Sequence, residues 1–177
     1  MLTVAKIWEG IRDEGVNCGR PTCFIELGAG TPYVPEELAR EMVSKTRCRC
    51  ICIKGENTTQ VGMGALVKAL IGIGHEVEVE SDGTVVTPGW AHQVSRWLVD
   101  YAEDTSFSYG ALRGQDAVRF RVNTTEDLEL LDRGLNTLRV FQGTKEVLLK
   151  PDVKTQLKME VFERLKKLEK GRIYLKC

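Results

Sequence analysis

Three cysteines stand at alternate positions of one short segment, and thiolates are among the side chains that bind metal ions. Cys48, Cys50 and Cys52 lie in the run CRCICI, where a β-strand would point all three thiols to one face. Zinc and iron–sulfur ligands usually come from loops that wrap the ion. The pattern therefore indicates three small core residues or, as the alternative, a metal site that these cysteines form with Cys23.

Two Gly-x-Gly segments contain glycines at the spacing that begins a nucleotide-binding turn. Gly28-Ala29-Gly30 follows the apolar run TCFIEL and is similar to the glycine turn of nucleotide-dependent methyltransferases, but Pro32 stands where a further glycine is expected. Gly62-Met63-Gly64 begins a dinucleotide fingerprint that lacks its third glycine. A methyltransferase or NAD-binding domain that uses the Gly28-Ala29-Gly30 turn is kept as an alternative.

Composition predicts a folded α/β protein and excludes several classes. The chain has 177 residues, 25 basic and 25 acidic side chains and 42% apolar residues, so one domain over residues 1–177 is expected and disorder is not. No apolar stretch is long enough for a membrane span, and the charged N-terminal segment does not resemble a signal peptide. We expect a cytoplasmic protein with reduced thiols and no membrane partner.

The basic residues are concentrated at the C-terminal end. Residues 144–177 carry five more Lys and Arg than Asp and Glu, and most of them lie on and around a predicted helix. A solvated helix face is favoured over a nucleic-acid surface, so no nucleic-acid partner is expected.

The elements that must position these groups alternate along the chain. Strands are predicted at 22–27, 48–53 and 76–80, from residue 116, within 137–149 and at 172–176. Helices are predicted from Pro35, after the loop at 54–57, over Trp90–Tyr101, at 126–135 and at 153–168. Strict alternation predicts right-handed crossovers and a parallel sheet. Six βα units are too few for a closed eight-unit barrel, which favours a partial (βα)6 barrel.

Three segments share the order of a known set of motifs: GIRDEGVNCGRP at 10–21, ICIKGENTTQ at 51–60 and VEVESDGT at 77–84. They resemble blocks of the 7-carboxy-7-deazaguanine synthases, radical S-adenosylmethionine enzymes of queuosine and archaeosine biosynthesis. The matching residues are Glu14, Gly15, Gly19, Arg20, Pro21, Gly55, Glu56, Gln60, Val79, Glu80, Gly83 and Thr84. The resemblance implies a shortened partial barrel, in agreement with the alternation, and a homodimer.

The chain departs from this family where the cluster should bind. The family has a loop of the type C-N-L-x-C-x-W-C-D-T, whose three thiolates hold a 4Fe-4S cluster, whereas this chain reads FIELGAGTPYVPEEL without a cysteine. Lys54 and Asn57 also replace the first glycine and the proline of the family's G-G-E-P motif. A 4Fe-4S cluster is therefore not expected at the usual place, nor is the usual radical chemistry.

The resemblance implies ligand-binding roles for several remaining residues. Arg20 would hold the carboxylate of a purine-like or pterin-like substrate and Glu14 its amidine edge, together with Gly83 and Thr84. S-adenosylmethionine would be bound by Gly55, Glu56 and Ser81. The alternative for Glu14 and Arg20 is a structural ion pair.

Two hypotheses follow from these residues. The first is a pseudoenzyme that binds a purine-like or pterin-like metabolite without reductive cleavage. The second is an active enzyme of deazapurine biosynthesis with a displaced iron–sulfur site at Cys23, Cys48, Cys50 and Cys52. Whether the protein is an enzyme is left open by the sequence.

Overall fold

Strands and helices follow one another along most of the chain. The structure is a computed structural model that describes residues 1–13, 17, 19–55, 58–84, 87–103, 108–150, 153–166 and 172–176. The elements in these ranges are β1 (Leu2–Ile11), β2 (Pro21–Tyr33), α1 (Pro35–Lys45), β3 (Cys50–Gly55), α2 (Met63–Gly72), β4 (Glu76–Ser81), β5 (Arg96–Asp100), β6 (Ala117–Val122), α3 (Asp127–Thr137), β7 (Thr144–Leu149), α4 (Thr155–Lys166) and β8 (Arg172–Lys176). Of these described helices, none is long and apolar enough to cross a membrane.

The strands form one sheet whose spatial order is the chain order, β1 to β8. Strands β2 to β8 are parallel, and β1 pairs antiparallel with β2. The α/β class and the partial barrel with a parallel sheet are thereby confirmed. The sheet has more strands than the six predicted, because β1 and β5 were not expected.

The apolar core lies on one face of the sheet, under the helices. Ile51, Ile53, Val77 and Val79 pack in one buried cluster with residues of α1 and α2. Val118, Phe120, Val122, Val147 and Leu149 pack in a second cluster with α3 and α4. Since Val99 pairs with Val118 across β5 and β6, both clusters lie on the same face. We call this the outer face and the opposite one the inner face.

The N-terminal hairpin differs from the prediction. Residues 2–11 form a strand, and β2 continues through Tyr33, so that Leu2 pairs with Tyr33 across an irregular register at Val4. Gly28-Ala29-Gly30 therefore belongs to a strand, not to a turn between a strand and a helix. The alternative of a nucleotide-binding turn at this position was wrong, because pairing with β1 satisfies the backbone in an extended form.

The segment around Trp97 also differs from the prediction. A helix was expected over Trp90–Tyr101, but only a short 3₁₀-helix forms, at Ala91–Gln93, and Arg96–Asp100 is strand β5. In the strand Trp97 and Val99 reach the outer core, and Arg96 and Asp100 face inward. Strict alternation of β and α fails here, because the described parts of the β4–β5 and β5–β6 connections contain only 3₁₀-helices.

Candidate functional site

Charged side chains fill the inner face. On β4 the sequence EVEVES directs Val77 and Val79 to the outer core, which leaves Glu76, Glu78 and Glu80 on the inner face. The same alternation directs Arg119 inward from β6. We define the inner-face ion network as Arg12, Glu78, Glu80, Arg96, Asp100, Arg119 and Glu146.

Arg12 joins the end of β1 to two glutamates of β4. Its guanidinium is almost fully buried, donates to Glu78 Oε2 at 2.8 Å and pairs with Glu80. Burial alone would lower the pKa of Arg12, but the negative charges of a Cys52 thiolate, Glu80 and Glu78 raise it above its ordinary value. The guanidinium therefore stays charged, and the two carboxylates share one buried cation.

Arg119 connects the same glutamate to the far side of the network. Its Nη1 lies 3.5 Å from Glu80 Oε2 and 3.6 Å from Asp100 Oδ1, and its Nε lies 3.6 Å from Glu146 Oε2. Arg96 Nη2 donates to Glu146 Oε1 at 2.9 Å. Each buried charge in this part of the sheet thus has an opposite charge within reach.

The network opens to solvent at the carboxyl ends of the strands. The side chains of Glu80 and Asp100 are 21% and 32% exposed, whereas that of Glu78 is only 4% exposed. Burial raises the pKa of Glu80, but Arg119 and Arg12 outweigh it and hold that pKa below its ordinary value. Burial raises the pKa of Asp100, and there the nearby arginines do not compensate.

An aromatic pair with two lysines borders this opening. Trp8 of β1 stacks on Phe24 of β2 with ring centroids 5.1 Å apart. Lys54 Nζ of β3 lies 4.9 Å from the Trp8 centroid and 5.2 Å from that of Phe24, and Lys6 Nζ lies 5.0 Å from Trp8. Lys54 also lowers the pKa of Glu80 by its charge. We call Trp8, Phe24, Lys54, Glu80 and Asp100 the mouth of the inner face.

The substrate residues implied by the resemblance do not converge. Arg20 precedes β2 at the amino-terminal end of the sheet, where it pairs with Glu76 and its Nη1 lies 4.0 Å from Glu78. Gly83 and Thr84 follow the carboxyl end of β4. Glu14 lies outside the described residues. The structure therefore places Arg20 and the pair Gly83–Thr84 at opposite ends of β4.

The implied cofactor residues lie at the carboxyl ends of two neighbouring strands. Gly55 ends β3 and Ser81 ends β4, whereas Glu56 lies outside the described residues. Ser81 Oγ accepts from Gly83 N, and Thr84 donates from its backbone N and Oγ1 to Asp82 Oδ1. Gly83 has φ +74°, and a Cβ there would lie 2.3 Å from Asp100 O. This turn thus requires glycine for its own geometry.

The cysteines are divided between the two faces. Cys50 and Cys52 face inward, beside Glu78 and Glu80, as the alternation predicts. Cys23 belongs to the outer core and Cys48 packs against it, because Cys48 precedes the first residue of β3. The prediction that Cys48, Cys50 and Cys52 point to one face of the sheet was therefore wrong.

These thiols do not fit an iron–sulfur cluster. Burial raises the pKa of Cys23 and Cys50 to about 11, which disfavours the thiolate that binds metal. Among the described residues no three His, Cys, Asp or Glu side chains are arranged to hold a metal ion. The usual cluster position, after Leu27, is strand β2.

The sequence analysis missed Arg12, Arg96, Arg119, Glu146 and Trp8. A signal was present, because EVEVES and AVRFRV alternate valine or phenylalanine with charges at the period of a strand. Such alternation usually indicates a solvated face. Here the charges pair with one another across the inner face.

Comparison with known proteins identifies the fold. No protein-family model matches the sequence, and neither does any curated protein. The crystal structure of QueE from Escherichia coli is similar, with a TM-score of 0.74, 14% sequence identity and coverage of 99% of this chain and 93% of that one. The chain has a QueE-like fold. QueE is a 7-carboxy-7-deazaguanine synthase, so the fold agrees with the resemblance in the motifs.

Proposed function

We propose that this chain is a divergent 7-carboxy-7-deazaguanine synthase-like protein that binds a purine-like or pterin-like metabolite at the mouth. We further propose that it works without the usual 4Fe-4S radical chemistry. Support for the second part comes from the uninterrupted strand β2, paired with β1 up to Tyr33, and from the placement of the cysteines on two faces.

The observation that carries the binding proposal is the combination of groups at the mouth. Lys54 lies over the Trp8–Phe24 pair and beside Glu80. Carboxylates at Glu80 and Asp100 accept from the amidine edge of a guanine-like or pterin-like ring. The exposed part of Trp8 offers an aromatic face, and Lys54 a cation for a carboxylate substituent. One ligand with these three features would satisfy all three groups.

The resemblance gives Arg20 the role of binding the ligand carboxylate, and here Lys54 takes that role. Arg20 already donates a hydrogen bond to the carboxylate of Glu76, and this bond raises the pKa of Arg20. It also lies at the opposite end of β4 from the mouth. We therefore propose Lys54 as the residue that binds a ligand carboxylate.

Calorimetric titration of the full chain with pterin-6-carboxylate and unsubstituted pterin tests the proposal. The Lys54→Met variant should bind the carboxylated ligand roughly tenfold or more weakly and the unsubstituted one unchanged, since one charge-assisted hydrogen bond is lost. Glu80→Gln should weaken both ligands. S-adenosylmethionine, which the resemblance assigns to Gly55, Glu56 and Ser81, is titrated in the same series.

Arg20→Met is the matched control and should leave both affinities unchanged. Loss of binding in Arg20→Met with full binding in Lys54→Met would move the carboxylate to the amino-terminal end, as the resemblance implies. No heat with either pterin at millimolar concentration would show that the proposed binding function is wrong.

A further inference from the structure

A cavity lies at the carboxyl-terminal edge of the sheet, beyond the ends of β6 and β7. Asn123 directly follows β6 and Lys150 directly follows β7, and both line this cavity of about 560 Å³. Parallel α/β sheets bind their ligands beyond the carboxyl ends of the strands, and the volume lies within the range of small-molecule sites. We call this cavity the β6–β7 cleft.

Two lysines of the cleft are available to a ligand. Lys150 and Lys154 are exposed to solvent and line the same cavity. Within the ranges that the structure describes, neither ammonium group forms an ion pair or a hydrogen bond. Two cations that share a concave surface raise the local concentration of anions. The lysines therefore favour an anionic ligand.

The two carboxylates that line the cleft are already engaged by the protein. Glu160 Oε1 accepts from Gln156 Nε2 at 3.2 Å, and Glu160 Oε2 lies 3.9 Å from Arg164 Nη1. Hydrogen bonds from its own backbone N–H and with Thr124 lower the pKa of Glu126. With Glu160 offset by Arg164, the two lysines outnumber the one remaining carboxylate.

Backbone N–H groups ahead of α3 are also engaged. Asn123 N and Thr124 N donate to Asp127 Oδ2 at 2.7 Å and 2.9 Å. A second anion at this position would meet the negative charge of Asp127. The lysines on the β7 side of the cleft are therefore the groups that can bind an anion.

We propose that the β6–β7 cleft binds the phosphate monoester of a small polyhydroxylated molecule, such as a sugar phosphate. Such a phosphate carries close to two negative charges at neutral pH, which match Lys150 and Lys154. The side chains of Asn123 and Thr125 bind hydroxyl groups, and Val153 contacts the carbon skeleton. No residue of the mouth lines this cavity, so the site does not depend on the function proposed there.

Calorimetric titration of the full chain with ribose 5-phosphate tests the proposal, and ribose is the matched analogue without the phosphate. Ribose 5-phosphate should bind, whereas ribose should give no heat. Lys150→Met and Lys154→Met should each weaken binding roughly tenfold, because a charge-assisted hydrogen bond is lost. Lys68→Met removes an exposed lysine of α2 and should leave the affinity unchanged.

Nuclear magnetic resonance of the ¹⁵N-labelled full chain locates the ligand. Ribose 5-phosphate should move the backbone amide signal of Thr125 in a saturable manner and leave the indole signal of Trp8, at the mouth, in place. A shifted Trp8 signal with an unchanged Thr125 signal would overturn the proposal by placing the ligand at the mouth.

Three calorimetric results would also overturn the proposal. The first is no heat with ribose 5-phosphate at millimolar concentration. The second is an equal loss of affinity in Lys68→Met and in the two cleft variants, since the attraction would then come from overall charge. The third is equal affinity for inorganic phosphate and ribose 5-phosphate, since the hydroxyl groups would then not be recognised.

Discussion

Arg12 provides the buried cation that two neighbouring carboxylates of β4 require. Its planar N–H groups meet Glu78 and Glu80 much as the amidine edge of guanine would meet carboxylates. Glu78 and Glu80 thus have their shared cation within the protein. We proposed ligand binding at the mouth because Glu80 and Asp100 are partly exposed there.

Replacing Arg12 tests how strongly these charges depend on each other. Arg12→Met leaves Glu78 buried without its main cation, so we expect the free energy of unfolding to fall by about 3–5 kcal/mol. Arg20→Met removes a partly exposed partner of Glu76 and should cost about 0–1 kcal/mol. Urea unfolding monitored by circular dichroism measures both, and equal losses would contradict the assigned difference in burial.

The lowered pKa of Glu80 predicts a pH dependence of stability. The Glu80 carboxylate takes up a proton less readily in the folded state than in the unfolded state, where the pKa of a glutamate is about 4.3. Glu80 therefore stabilises the fold above that pH. This contribution is lost as the pH falls through the lower folded value. In Glu80→Gln, the free energy of unfolding should therefore decline less between about pH 5 and pH 3.

Unfolding of Glu80→Gln is compared with that of Glu37→Gln, whose side chain is exposed on α1. Glu37→Gln measures the effect of removing one exposed carboxylate. If the stability of Glu80→Gln declined with falling pH as that of the unmodified chain does, Glu80 would not be the source of the acid sensitivity.

At the residue scale the sequence predicted which side chains share a face of a strand better than it predicted their contacts. Cys50 and Cys52 share a face because alternation along a strand is local. The partner of Arg20 was not predictable, since Glu76 lies 56 positions away in the chain. Pairing across the sheet depends on register, which local patterns do not determine.

The hairpin of β1 and β2 continues past the position where the resemblance implies a cluster-binding loop. Beyond Leu27, strand β2 remains paired with residues 2–4 of β1. Extended backbone in a ladder has its polar groups engaged with the neighbouring strand, unlike a loop that wraps a metal cluster. The function proposed above therefore has the extension of β2 at the position where the resemblance implies a ligand-bearing loop.

A substitution at Gly30 tests this extension. A Cβ at Gly30 would lie 2.1 Å from Val4 O and 2.7 Å from Ala5 Cα, so Gly30→Val must separate the strands. We expect a loss of about 1–3 kcal/mol in the free energy of unfolding and faster amide exchange at Thr31 and Tyr33. Hydrogen exchange and urea unfolding measure the two effects.

Gly72→Ala is the control, because no atom lies within 4 Å of its added Cβ on helix α2. It should be neutral or stabilise by up to about 1 kcal/mol. If the amides of Thr31 and Tyr33 in Gly30→Val exchanged as slowly as in the unmodified chain, the close approach of β1 to Gly30 would be contradicted.

The elements that the sequence predicted well are those in which apolar residues recur at the spacing of one helix face or one strand face over the whole segment. Helices α3 and α4 and strands β3, β4 and β7 were expected near their observed positions. The error at β5 has a physical cause, because Trp90, Val94, Trp97 and Tyr101 also match a helical spacing. Short apolar runs are ambiguous, and here pairing of Arg96–Asp100 with β4 and β6 decides for the strand.

At the scale of the whole molecule, similarity extends over nearly the full length of two chains that share 14% of their residues. Fold is retained because the outer core needs only apolar residues at the right period, whereas function depends on particular side chains. The likeness to QueE therefore supports the architecture, and the chemistry must be tested at the mouth.

The resemblance to the 7-carboxy-7-deazaguanine synthases also implies a homodimer, and this stays a prediction. The mass of one chain is 19.8 kDa, so light scattering should give twice this value at micromolar concentration. The mass of a single chain across that range would contradict the prediction.

The order of the sheet has a consequence for how the protein is made. Each strand from β2 onward lies beside the strand that precedes it in the chain, so a strand leaving the ribosome finds its partner already synthesised. Loops closed in this way stay short, which lowers their entropic cost and favours rapid folding. The sheet can therefore grow by one strand at a time during translation, starting from the β1–β2 hairpin.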